Sequence, residues 1–253
     1  MEEDEVTILH LTAFDAFQNG DIGDAQINWE SSLEGLSNRD FSNDGDRQLG
    51  AKILNNLGKC YIHSELYDKA EAYLLKSSEI CEELEMPLIN LMAVTNLAEC
   101  LEKKAQENQT WPDMPRLHRI RFIATEYASI VGDKEREFHA WLRLAKQISN
   151  QCHMEGYRRP LLLFDTYQCA RELAITKDLY SLYLFEWAIH HLRSEIALKV
   201  KSEKLKSEAL FREYVDFCNK NEIEIFPFCT ERGFTEANSK WEYPPHIPDF
   251  EYL

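Results

Sequence analysis

Two adjacent histidines, His190 and His191, are the first residues whose type suggests chemistry, because neutral imidazole is a common metal ligand. Adjacent residues point in different directions on a helix, so the pair does not chelate one ion. The sequence also lacks a glycine-rich phosphate loop, a Gly-x-Ser-x-Gly elbow and a His-Glu-x-x-His motif. We therefore expect no catalytic residue, no metal site and no cofactor.

Cysteine is the second residue type that could carry chemistry. The seven cysteines show no Cys-x-x-Cys or Cys/His metal-ligand spacing, and they stand at positions 60, 81, 100, 152, 169, 218 and 229. We expect them to be reduced and mostly buried, as small apolar residues. The sequence starts without a basic segment followed by an apolar core and has no apolar run of about 20 residues. These features predict a cytoplasmic or nuclear protein.

The charge of the chain limits its partners. Asp and Glu total 44 against 28 Lys and Arg, which gives a formal net charge of −16. Such a chain repels nucleic acid and anionic membranes. The lysines between Lys199 and Lys206 are interleaved with glutamates, as on a solvated helix face. A local patch of arginines in the loops is the one feature that favours RNA, and its members are Arg116, Arg119, Arg121, Arg158 and Arg159.

The most specific feature is a short repeat. The residues Asn56–Cys60, Asn-Leu-Gly-Lys-Cys, recur 40 positions later as Asn96–Cys100, Asn-Leu-Ala-Glu-Cys. Apolar residues recur every three or four positions around both copies, which indicates helices. After the first copy, a polar break precedes a segment with the small residues Ala70 and Ser77 on one face. Small residues there allow two helices to pack closely.

This pattern resembles the tetratricopeptide (TPR) signature, in which a Leu-Gly pair and a Tyr on one helix meet an Ala on the next. The residues that carry the resemblance are Leu54, Leu57, Gly58, Tyr61, Ala70 and Leu74. The match is sharpest between residues 51 and 101 and extends over about residues 6–217. Spacings of roughly 40 residues or more exceed the usual ~34 and are similar to those of Pins-type polarity adaptors and bacterial Rap regulators.

The resemblance implies an all-α, right-handed α-solenoid of about five antiparallel helix pairs, formed by residues 1–220. The pairs are divided by turn residues and prolines. The predicted breaks within the first, third and fourth pairs are Asn19–Asp24, Gln109–Pro115 and Gly156–Pro160, and the fifth pair covers residues 178 to about 220. The last pair is poor in signature residues, as expected of a capping repeat.

In such solenoids the first helices of successive pairs line a concave surface. The residues predicted to form this partner-binding groove are Asn55, Asn56, Lys59, His63, Asn96, His139, Arg143 and Lys146, with Glu99 in the same row. Asn amides can donate to and accept from an extended backbone, while Arg and Lys pair with carboxylates. The row therefore predicts a protein partner that supplies an extended or acidic segment. The alternative is that these side chains only coat an exposed helix face.

The carboxylate-clamp TPR domains that hold chaperone C-termini offer a more specific comparison. Asn96 and Arg143 match the clamp, whereas Asn55, Lys59 and Met92 stand where it has Lys, Asn and Lys. The match is partial, so it favours a different ligand.

Residues 221–253 form a tail rich in aromatic, acidic and proline residues. Disordered tails are normally poor in aromatic residues, so we expect this one to dock, either on its own solenoid or on a partner. The residues predicted to dock are Trp241, Tyr243, Phe250 and Tyr252. The alternative is that the tail caps the last repeat.

The sequence therefore predicts a non-catalytic scaffold or adaptor that holds a segment of another protein. A second interpretation is a regulatory subunit that wraps a folded enzyme, and RNA binding by helical repeats is the least supported. The sequence predicts neither the partner's identity nor the oligomeric state, because fold does not specify function.

Overall fold

Helices make up the described part of the chain, which in the computed structural model comprises residues 5–37, 43–110, 112–155, 160–198 and 201–225. Their bounds are α1 (Glu5–Gln18), α2 (Ile22–Ser37), α3 (Asp44–His63), α4 (Tyr67–Glu83), α5 (Pro87–Glu107), α6 (Met114–Val131), α7 (Lys134–Glu155), α8 (Pro160–Leu173), α9 (Lys177–Leu198) and α10 (Lys201–Asn221). These described segments contain no β-strand. The predicted all-α class is confirmed.

The chain divides into two compact units, Met1–Gln147 and Ile148–Leu253. In the first unit, consecutive helices pack as the pairs α1–α2, α3–α4 and α5–α6, and α3 also packs on α2 and α5. Its core is a continuous set of fully buried side chains that includes Trp29, Leu36, Ile53, Leu57, Leu74 and Leu117. This packing of each pair on the next fixes the faces that α3 and α5 present.

Gly58 explains why the signature needs a Leu-Gly pair. A Cβ atom at Gly58 would lie 2.5 Å from Cγ of Leu74, a distance that real Cβ atoms do not show. Ala70 and Ala98 are also fully buried where neighbouring helices meet. The small side chains therefore set the close approach of α3 and α4.

A buried serine joins the two helices of each of the first two pairs. Oγ of Ser32 donates to the carbonyl oxygen of Val6 at 2.9 Å, and Oγ of Ser77 donates to that of Ala51 at 2.8 Å. Donor and acceptor are 26 residues apart in both pairs. The first pair is therefore built like the second, although it lacks the Leu-Gly signature.

Several helices end in the same way. Glu65, Glu85 and Gln109 have φ of 60°, 52° and 51°, in the left-handed region. The N–H of the following residue then donates to a carbonyl of the last helical turn, as from Leu66 to Tyr61 at 2.8 Å. This is the Schellman arrangement, which usually has glycine at the left-handed position.

Aromatic rings pack against one another in the core of the second unit. The ring of Phe185 on α9 lies 6.3 Å from that of Phe211 and 5.7 Å from that of Tyr214 on α10. His190 and His191 are buried, and Oγ of Ser149 lies 2.7 Å from Nδ1 of His190. The histidine pair is thus part of the packing of this unit.

Candidate functional site

The first helices of the second and third pairs each present one polar face, and together these form what we call the α3–α5 face. Its members recur at helical spacing and are Lys52, Asn56, Lys59 and His63 on α3, with Asn96, Glu99 and Lys103 on α5. The offset of 40 residues between Asn56 and Asn96 reflects the repeat. All seven side chains retain some exposure to solvent.

Three asparagine side chains form a hydrogen-bonded chain on this face. Nδ2 of Asn96 donates to Oδ1 of Asn55 at 3.0 Å, and Nδ2 of Asn55 donates to Oδ1 of Asn56 at 3.2 Å. Among the described residues, Nδ2 of Asn56 and Oδ1 of Asn96 have no partner. The chain therefore offers one donor and one acceptor, as an extended peptide backbone requires.

Asn55 has a different role from the one its sequence position predicts. Its side chain is only 2% exposed, so it does not reach a ligand directly. It instead links Asn56 to Asn96 and fixes the orientation of both amides. Asn55 is thus a positioning residue of the site.

A triad of charges lies beside the asparagines. Nζ of Lys59 lies 2.8 Å from Oε2 of Glu99, and Nζ of Lys103 lies 3.0 Å from Oε1. Burial opposes ionisation of Glu99, but the two lysines outweigh it and lower the pKa of Glu99 to about 2. The carboxylate is therefore fully ionised at neutral pH. The two lysines and Glu99 together carry a formal charge of +1.

His63 marks the end of the face at the C-terminus of α3. It is exposed, and its ring meets that of Phe17 on α1 edge to face at 5.9 Å. The first helix pair thus contributes an aromatic border to the polar face.

The other predicted groove residues lie on α7. His139 is buried, and burial together with the nearby charge of Arg143 lowers its pKa to about 4, against an opposing effect of Asp133. It is therefore neutral at pH 7. Arg143 and Lys146 are half-buried on the same side of this helix. We treat these three residues as a second group, separate from the α3–α5 face.

One further prediction has a structural outcome in part, and another lies outside the described residues. Within the arginine patch that favours RNA, Arg116 lies 2.7 Å from Glu71 and Arg121 lies 2.8 Å from Glu102, so both charges are already paired. Arg158 and Arg159 lie outside the described residues, as do the docking residues of the tail, Trp241, Tyr243, Phe250 and Tyr252.

Lys103 is a site residue that the predicted row omits. It follows Glu99 by four positions and equals His63 shifted by one repeat of 40 residues. Both relations are visible in the sequence and place it on the same face as Glu99. Extending the row by one turn would have found it.

The described residues offer little for catalysis. Burial raises the pKa of Cys60 to about 12, with the charge of Glu30 adding to the effect, and burial likewise raises that of Cys81 to about 11. These thiols are protonated at neutral pH and poor nucleophiles. No group of three His, Cys, Asp or Glu side chains within the described ranges is placed to hold a metal. None of the described helices is long and apolar enough to cross a membrane.

Solved structures provide the comparison with known proteins. No family model matches the sequence, and no curated protein does. A Podosopora anserina putative kinesin light chain with nearly identical TPR-like repeats has a structure of TM-score 0.62 to this chain at 13% identity, covering 88% of this chain and 100% of that one. A second structure, of a substituted form of that protein, has a TM-score of 0.63 at 13% identity, covering 86% of this chain and 96% of that one.

A Rap conjugation gene regulator of the plasmid pLS20, solved with the Phr* peptide, aligns with a TM-score of only 0.35 at 13% identity, over 92% of this chain and 74% of that one. The helical pairs, the buried small residues and the two kinesin light chain structures together show that the chain has a TPR-like fold.

Proposed function

We propose that this chain is a non-catalytic scaffold or adaptor that binds an extended, acidic segment of a partner protein on the α3–α5 face. The hydrogen-bonded asparagines beside the Lys59–Glu99–Lys103 triad carry the proposal. Amides with an open donor and an open acceptor suit a peptide backbone, and lysines suit carboxylates. Arg143 and Lys146 extend the same chemistry to α7.

The charge distribution supports an acidic ligand. The α3–α5 face carries Lys52, Lys59 and Lys103 against Glu99 as its acid, in a chain of formal net charge −16. Local positive charge within an acidic protein steers acidic segments to this face and away from the remaining surface. TPR-like folds place such a face where successive repeats expose their first helices.

The test is affinity purification from cells that express the tagged full chain, followed by mass spectrometry. The Asn56→Ala/Asn96→Ala/Arg143→Ala variant should lose a subset of partners while retaining its far-UV circular dichroism. The control variant carries alanine at Lys76, Glu79 and Arg119, exposed residues of the second helices α4 and α6, and should keep them all.

The captured partners then identify the ligand. Overlapping synthetic peptides that cover a lost partner should contain an acidic stretch that binds the isolated chain and competes with the partner. An unchanged partner list with the triple variant would contradict the proposal. It would favour the alternative of a regulatory subunit that contacts a folded enzyme over a broad surface.

A further inference from the structure

An open cleft of about 400 Å³ lies at the C-terminal ends of α3 and α5. We call it the α3–α5 cleft, and its lining residues are Ile62, His63, Glu65, Tyr67, Lys103, Gln106 and Glu107. His63 and Lys103 also belong to the α3–α5 face. The cleft is therefore continuous with that face, and a segment lying on the face reaches it with one side chain.

Tyr67 is the polar group that the cleft leaves without a partner. The residue begins α4 and is only 9% exposed, yet it lines the cleft. Its hydroxyl makes no hydrogen bond with any of the described residues. The hydroxyl opens on the cleft, so it can donate a hydrogen bond to, or accept one from, a polar group that binds there.

The charge of the cleft indicates the sign of that group. Glu65 and Glu107 stand at its rim, and neither forms an ion pair among the described residues. Burial raises the pKa of Tyr67, and both carboxylates add to the effect while Lys103 opposes it, which places all three charges near the ring. Lys103 is bonded to Glu99 at 3.0 Å. His63, the remaining titratable group of the lining, is exposed, and the carbonyl ends of two helices add partial negative charge.

We propose that the α3–α5 cleft binds an arginine side chain of the segment that occupies the α3–α5 face. The proposal rests on the proposed function, because the arginine is a further specificity element of the same ligand. Its apolar stem would pack on the ring of Tyr67 and on Ile62, while its five N–H donors reach Glu65, Glu107 and the Tyr67 hydroxyl. A planar, always charged group uses several acceptors at once, which a lysine ammonium does less well.

The test uses random peptides displayed on phage and selected on the full chain. The native chain should enrich peptides with several acidic residues and one arginine at a constant spacing from them. The Glu65→Gln/Glu107→Gln variant should enrich the same acidic residues without the arginine. The matched control is Glu79→Gln/Glu85→Gln on and just after α4, in which Glu85 has the same left-handed backbone as Glu65. This control should keep the arginine preference.

Fluorescence polarisation with a selected peptide then measures the contribution of the side chain. Replacing its arginine by alanine should weaken binding to the native chain by about ten- to a hundredfold. The same replacement should change binding to the Glu65→Gln/Glu107→Gln variant by less than about threefold. Tyr67→Phe, which removes only the hydroxyl, should lower the affinity for the arginine peptide alone.

Four outcomes would overturn the inference, in different ways. Acidic peptides selected without an arginine, or an arginine preference that survives in the double variant, refute the cleft assignment and leave the proposed function intact. A selection that yields no acidic peptides refutes the proposed function itself. A preference for a bulky apolar residue at the constant position would reassign the cleft to an apolar anchor.

Discussion

Helices α5 and α9 hold the same place in their pairs but differ in what surrounds them. In α9, every residue from Ser181 to His191 is buried except Trp187, which is half-buried. In α5, Asn96, Glu99 and Lys103 remain partly exposed on one side. A helix that is buried on all sides belongs to a core, whereas one with a single open polar face can meet a ligand.

The position of a helix in its repeat therefore does not by itself define a binding surface. In the second unit, α9 packs against aromatic rings through Phe185 and Trp187. The first unit keeps polar side chains on the corresponding helices and orders them by hydrogen bonds. We therefore expect substitutions on α9 to change stability and substitutions on α5 to change binding.

Phe185→Ala should have the largest effect. The side chain is 3% exposed and packs between Phe211 and Tyr214, so its removal should lower the free energy of unfolding by about 3–5 kcal/mol. Asn96→Ala on α5 should lower the free energy of unfolding by only about 1–2 kcal/mol, because Oδ1 of Asn55 loses the hydrogen bond that Nδ2 of Asn96 donates. Urea unfolding followed by circular dichroism measures both.

Binding separates the two substitutions further. The folded fraction of Phe185→Ala should bind an acidic peptide as the native chain does, whereas Asn96→Ala should not. Equal losses of stability in the two variants would show that the asparagine chain is mainly structural, and the comparison of the helices would fail.

Acid should weaken the first unit through Glu99. Its pKa is about 2 in the folded chain against an ordinary value of 4.5, so the folded state binds the proton less readily than the unfolded chain. The resulting stability, up to about 3 kcal/mol, is present above about pH 5 and is lost as the pH falls toward 2.

The Glu99→Gln variant tests this assignment. Its unfolding free energy, measured by urea titration at several pH values, should depend less on pH between about 5 and 2 than that of the native chain. Glu79→Gln, at an exposed position of α4, should leave the pH dependence unchanged. If the unfolding free energies of the native chain and of Glu99→Gln had the same pH dependence, the ion pairs of Glu99 would not stabilise the α3–α5 face.

The sequence predicted the helix pairs well because their signals are local. The repeat of Asn56–Cys60 at Asn96–Cys100 marks two equivalent helices, and the small residues at Gly58 and Ala70 follow from close packing. Asn55 shows the limit of such reasoning. It lies on the border between the buried and the open side of α3, where helical spacing is compatible with either environment, and its contact with Asn96 on α5 decides the outcome.

The sequence does not predict most of the left-handed helix ends, for a related reason. At Gly132, where φ is 76°, the residue type predicts a left-handed helix end, but the residue types of Glu65, Glu85 and Glu222 do not. Their conformation is imposed by the following residue, whose N–H closes the helix by bonding to the carbonyl of the residue five positions earlier, as Ile223 does with Cys218 at 3.0 Å. Packing of the next segment thus overrides the preference of the glutamate itself.

The smallest predicted effect concerns a feature that the two units share. Glu85 in the first unit and Glu222 in the second both have positive φ, at 52° and 60°. Glycine adopts this region without strain, so Glu85→Gly and Glu222→Gly should each raise the free energy of unfolding by about 0.5 kcal/mol. Glu79→Gly, inside α4, should instead lower the free energy of unfolding by about 1 kcal/mol.

Thermal unfolding of the three variants, read by circular dichroism, distinguishes these results. Equal gains at Glu85 and Glu222 would show that the units differ in their exposed faces and not in how their helices end, whereas a gain in one unit alone would extend the difference to the backbone.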